Sequence, residues 1–65
     1  MASIKIVNRY GYHDVEVDGT ARGFAFSAAP GKWSAWLYRE GRKNLWLGSY
    51  PTRREAAAEV AIQSS

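Results

Sequence analysis

Cysteine is absent from these 65 residues, which excludes a disulfide framework, a thiolate metal site and a cysteine nucleophile. A single histidine, His13, excludes any two-histidine metal motif. No apolar run approaches the ~18–20 residues needed to cross a bilayer, and the opening MASIKIVNRY is not a signal peptide. Repeats, low-complexity tracts and linkers are missing as well. The glycines are scattered through turn positions and match neither a P-loop nor a dinucleotide fingerprint. The expectation is a cytoplasmic protein without membrane association, catalytic centre, metal or cofactor.

What is present argues for one folded domain over residues 1–65. Hydrophobic residues make up 46% of the chain and aromatics 14%, well above a disordered composition. A chain this short buries only about 60% of its unfolded surface, so its core is marginal. The formal charge of +3 is unevenly distributed. Residues 1–18 carry Lys5 and Arg9 against Asp14, Glu16 and Asp18, whereas residues 19–65 carry seven basic and three acidic groups. A basic C-terminal two-thirds is compatible with a phosphate backbone as partner.

Periodicity predicts the elements. Ile4–Val7 reads as a short strand, followed by a turn over Arg9-Tyr10-Gly11-Tyr12. Asp14–Asp18 alternates polar and apolar residues at period two, the pattern of a strand with one wet face. Asp18-Gly19 signals a tight hairpin turn with positive φ. Gly23–Ser27 reads as a third strand, and Ala29-Pro30-Gly31-Lys32 as a type II turn. Lys32–Arg39 and Asn44–Gly48 then form a hairpin joined by Glu40–Lys43. Parity places Trp33, Ala35, Leu37, Leu45 and Leu47 on one face, and Lys32, Ser34, Trp36, Tyr38, Asn44 and Trp46 on the other. Thr52 and Glu55 make a capping box, opening a helix with a narrow stripe of Ala56, Ala57, Val60 and Ala61. The fold class is α+β: an antiparallel sheet of three core strands plus one or two N-terminal strands, packed against one C-terminal helix.

His13 has no acid or nucleophile partner in sequence and reads as a solvent-exposed or hydrogen-bonded side chain on a wet strand. Asp14, Glu16 and Asp18 at spacing two read as a solvated face that a weak cation site would share. Trp36, Tyr38 and Trp46 are the pointed feature. If the helix covers the leucine face, these rings line an exposed platform, and such a patch marks a binding surface. Cover by the N-terminal strands, or by a second copy in a homodimer, is the competing outcome. Arg39, Arg42 and Lys43 cluster at a hairpin tip. Arg53 and Arg54 sit where a helix dipole favours acids, which suggests another use, such as phosphate contact.

The run Gly31-Lys32-Trp33-Ser34-Ala35-Trp36-Leu37, followed by Trp46-Leu47-Gly48-Ser49-Tyr50-Pro51-Thr52-Arg53-Arg54-Glu55-Ala56-Ala57, resembles the Apetala/ethylene-response-factor type DNA-binding domain. It is also similar to that domain's relatives in phage integrases and homing endonucleases. The resemblance covers residues 22–62 and leaves 1–21 as an N-terminal strand extension. It implies a three-stranded sheet lying in the major groove of duplex DNA with the helix behind it. Trp46 matches the family's base- or sugar-contacting tryptophan. Trp36 and Tyr38 fall where the family often has Glu and Arg, and Asn44 where an Arg usually sits. The first family strand corresponds to Gly23–Ala28, which has no arginine beyond Arg22.

Two functions follow as expectations. The first is a small DNA-binding module, an accessory or regulatory protein of a phage or mobile element. Trp36, Tyr38, Trp46 and Asn44 would contact base edges and sugars, and Lys32, Arg39, Arg42, Lys43 and Arg22 would neutralise phosphates. The second is an inhibitor or adaptor that uses the same aromatic face against a host or phage protein.

Overall fold

The computed structural model describes residues 3–65. Five strands precede one helix: β1 Ile4–Asn8, β2 His13–Val17, β3 Thr20–Ala29, β4 Lys32–Leu37, β5 Leu45–Tyr50 and α1 Arg53–Ser64. The sheet is an antiparallel meander in the order β1-β2-β3-β4-β5, with α1 packed chiefly on β3 and β4. This is the expected α+β architecture, with two N-terminal strands extending the sheet. Strand β3 runs straight through position 22, so the extension and the remaining sheet share one continuous strand.

Turn chemistry sets the register. Asp18 and Gly19 both have positive φ, 52° and 84°, as a primed two-residue turn requires. Gly31 follows Pro30 with φ 71°, completing the type II geometry between Ala29 and Lys32. Thr52 is extended and accepts the Glu55 amide at 3.2 Å, and its hydroxyl also lies 3.3 Å from the Glu55 carboxylate. That N-cap satisfies one of the helix's four free amides and fixes its start.

The core lies between sheet and helix and is built from small side chains: Val15, Ala25, Ala35, Ala56, Ala57 and Val60 are buried. Alanines at these positions let α1 approach the sheet closely. Gly23 makes the approach closest, because a Cβ there would stand 2.2 Å from the Trp36 carbonyl oxygen and 2.7 Å from Val60 Cγ1. Trp33 lies on the helix face as parity predicts, but at the rim of the core with Leu37, Leu47 and Ile6.

Two details depart from the expected pattern. The β4 ladder ends at Leu37, although the Tyr38 amide still donates to the Arg22 carbonyl at 2.9 Å. A bulge in β5 pairs Trp46 with Trp36 but Gly48 with Ala35, leaving Leu47 as the extra residue. Gly48 takes φ 136° there. The bulge shifts parity by one, so Tyr50 turns to the helix side opposite Trp33, where it packs against the core.

Candidate nucleic-acid interface

No described segment covers the sheet face opposite α1. The N-terminal strands lengthen the sheet edge-on instead of folding across it, so the platform of parity-predicted rings stays open. Trp46 is 55% exposed and Tyr38 36%, while Trp36 is half-buried. Trp36 faces Trp46 across the β4–β5 ladder and Phe24 across β3–β4.

Phe24 is the hub of this face. Its ring stacks on Trp36 with centroids 6.1 Å apart and planes 2° from parallel. Tyr38 lies 5.5 Å away, Phe26 6.4 Å away, and Tyr12 meets it edge-on at 5.7 Å. Offset and edge-on pairs at these separations are favourable contacts for aromatic quadrupoles. Sequence reasoning missed Phe24, Phe26 and Tyr12. The signal was present in Gly23-Phe24-Ala25-Phe26, where small residues alternate with large ones and send both phenyl rings to the face away from the helix.

Beside this cluster opens a groove of about 400 Å³ lined by Gly11, Tyr12, Phe24, Phe26, Tyr38 and Asn44. It joins the β1–β2 turn to the β4–β5 loop across the central strand. Asn44, expected on this face, lines the groove; Trp36 and Trp46 lie beside it along the sheet.

The acidic strand does not present three free carboxylates. Asp14 is nearly buried and accepts the Tyr38 hydroxyl at 2.5 Å and Arg9 Nε at 3.1 Å. Asp18 turns to the chain start and accepts the Ser3 amide at 2.9 Å. Glu16 stands opposite Lys5 on β1. Among the described residues no three potential metal ligands come together. Burial, reinforced by the bond to Asp14, raises the Tyr38 phenol above its ordinary pKa, and the same carboxylate raises the Arg9 guanidinium.

His13 is neither exposed nor hydrogen-bonded through Nδ1. It lies half-buried against Trp33, with ring centroids 5.4 Å apart and Nδ1 covered and unpartnered. The Trp36 indole N–H is likewise covered without a partner.

The expected cations separate into three groups. Arg22 and Lys32 are exposed on the strands that carry the aromatic face, and Arg42 and Lys43 on the loop at its end. None of these four makes an ion pair among the described residues, where Arg9–Asp14 is the ion pair formed. Arg39 is half-buried and its Nε donates to the Lys43 carbonyl at 2.9 Å, so it braces its own loop. Arg53 and Arg54 begin the helix layer, on the other side of the sheet from the rings.

No helix among the described residues is long and apolar enough to cross a membrane. Comparison with known proteins yields no matching family model, no matching curated protein and no matching solved structure.

Proposed function

We propose that the protein binds duplex DNA through the open face of its sheet. The carrying observation is the open cross-strand row Phe24, Trp36 and Trp46, flanked on both sides along the strand direction by exposed, unpaired cations. Lys32 stands at one end of β4, and Arg22, Arg42 and Lys43 at the other. From Lys32 to Tyr38 the chain rises roughly 20 Å, enough to bracket a major groove about 12 Å wide. Such cations supply sequence-independent affinity, and the rings between them reach sugars and base edges. Pairing of Asp14 with Arg9 and Tyr38 removes one of the carboxylates among Asp14, Glu16 and Asp18 that would otherwise repel phosphate here. The resemblance of the Trp46–Ala57 segment to sheet-type DNA-binding domains supports the same reading.

One observation favours the alternative, an inhibitor or adaptor of a host or phage protein. The centre of the face is aromatic and free of cations, as in protein hot spots. Trp46→Ala tests the reading, because an exposed side chain is removed with little cost to the fold. Fluorescence anisotropy with labelled duplex should show affinity lowered about tenfold, the effect of ~1.4 kcal/mol lost at an aromatic contact. Duplex binding unchanged by Trp46→Ala would overturn this placement of the interface.

A further inference from the structure

The groove beside Phe24 has a more specific chemistry than the face around it. Its volume of about 400 Å³ lies near the small end of the ~300–1,000 Å³ range of ligand pockets. It has room for one flat ring system laid against the aromatic side chains. Four of its six lining residues are aromatic and none is charged. The polar side chain beside the tyrosine hydroxyls is the Asn44 amide, which offers both donor and acceptor and makes no hydrogen bond among the described residues. Arg42 and Lys43 immediately precede Asn44 on an exposed loop and carry no ion pair.

An open aromatic groove, a donor–acceptor amide at its margin and free cations one and two residues away match a planar nucleobase attached to phosphates. We propose that this groove receives one unstacked nucleobase, so that the DNA bound most tightly carries an unpaired base at the contacted position. The inference rests on the DNA-binding reading above and names its substrate class. Bases inside an intact duplex are stacked and cannot enter. Extruding one costs a few kcal/mol, and the cost is least where the base is already unpaired. Stacking on aromatic side chains accepts any base, because every base has a π face.

The test compares three labelled DNAs by fluorescence anisotropy: a perfect duplex, the same duplex with a single-nucleotide bulge, and the corresponding single strand. Base–aromatic stacking predicts a preference for the bulge over the perfect duplex of roughly 5- to 100-fold. A 2-aminopurine placed at the bulge should lose fluorescence on binding. Tyr12→Ala alters an exposed position on the β1–β2 side of the groove. With folding checked by circular dichroism, it should erase the preference while leaving perfect-duplex affinity within about twofold, and Asn44→Ala should erase the preference as well. Equal affinity for bulge and duplex, an unchanged 2-aminopurine signal, or a preference that survives both substitutions would overturn the groove assignment and leave the duplex reading standing. Absence of binding to all three DNAs would overturn both.

Discussion

Adding one methyl group to Gly23 should do more damage than removing most whole side chains from this protein. A Cβ at this position would lie 2.2 Å from the backbone oxygen of Trp36 and 2.7 Å from Val60 Cγ1. Neither neighbour is a flexible chain end, since one is part of the β3–β4 ladder and the other is a fully buried side chain of the helix itself. Relief requires β3 to part from β4 or α1 to lift from the sheet. Overpacking of a tight core costs about 1–3 kcal/mol, occasionally more, and a clash with backbone belongs at the upper end. A 65-residue domain holds roughly 3–10 kcal/mol in total at typical stability per residue. Gly23→Ala should therefore lower the melting temperature by about 12–24 °C, or leave the chain unfolded at room temperature. Gly11→Ala is the control. Gly11 also sits at positive φ, 84°, but a Cβ there meets nothing within 4 Å. Its cost should be the ~1–2 kcal/mol of left-handed strain alone. Thermal unfolding followed by circular dichroism decides the matter. If Gly23→Ala melts within a few degrees of the parent, the helix does not lie against the sheet as described.

Three further outcomes follow from local geometry. Thr52→Ala removes the cap on the Glu55 amide and should cost ~1 kcal/mol, about 4–8 °C in Tm; coincident melts would contradict the cap. Asp14→Ala deletes the acceptor shared by Arg9 and Tyr38 and should cost about 2 kcal/mol in urea unfolding, since both orphaned donors can still reach water; a loss under about 0.5 kcal/mol would make the network incidental. Tyr38 titrates above its ordinary pKa of 10.0 in the folded state, through burial and then its bond to Asp14. The unfolded chain thus releases this proton first, and stability present below about pH 10 is lost as pH rises beyond it. Tyr38→Phe should give a shallower alkaline decline, measured by urea midpoints between pH 9 and 11; parallel declines would show that Tyr38 is not held protonated.

Turns and caps were legible in the sequence because their chemistry is local. Asp18-Gly19, Pro30-Gly31 and the Thr52–Glu55 box each demand a backbone geometry few other residues supply, and all three occur. Parity then placed Trp36 and Trp46 together, as their pairing shows. The β5 bulge was not legible, since only the fold determines where a strand absorbs an extra residue, and it is the bulge that brings Tyr50 to the helix side opposite Trp33. Parity put Trp33 on the helix face, but the close approach of α1 at Gly23, Ala25 and Ala35 admits only small side chains at the centre and leaves the indole at the rim. Three carboxylates at spacing two looked equivalent, yet long-range partners separate them: Arg9 and Tyr38 for Asp14, Ser3 for Asp18. The groove at Phe24 draws on residues from 11 to 44 and exists only once the β1–β2 turn, β3 and the β4–β5 connection come together.

The salt dependence of duplex binding decides whether the open sheet face meets a DNA backbone. Each phosphate neutralised by a lysine or arginine releases condensed counterions, giving a log–log slope of roughly −0.9 per contact. With Arg22, Lys32, Arg42 and Lys43 engaged, affinity measured between low and moderate salt should fall with a slope of about −3 to −4, and Lys32→Ala should flatten it by about 0.9. A partner gripped by the aromatic face alone would give binding almost indifferent to salt. A flat slope, or one that Lys32→Ala leaves unchanged, would contradict the assignment of this face to the DNA backbone.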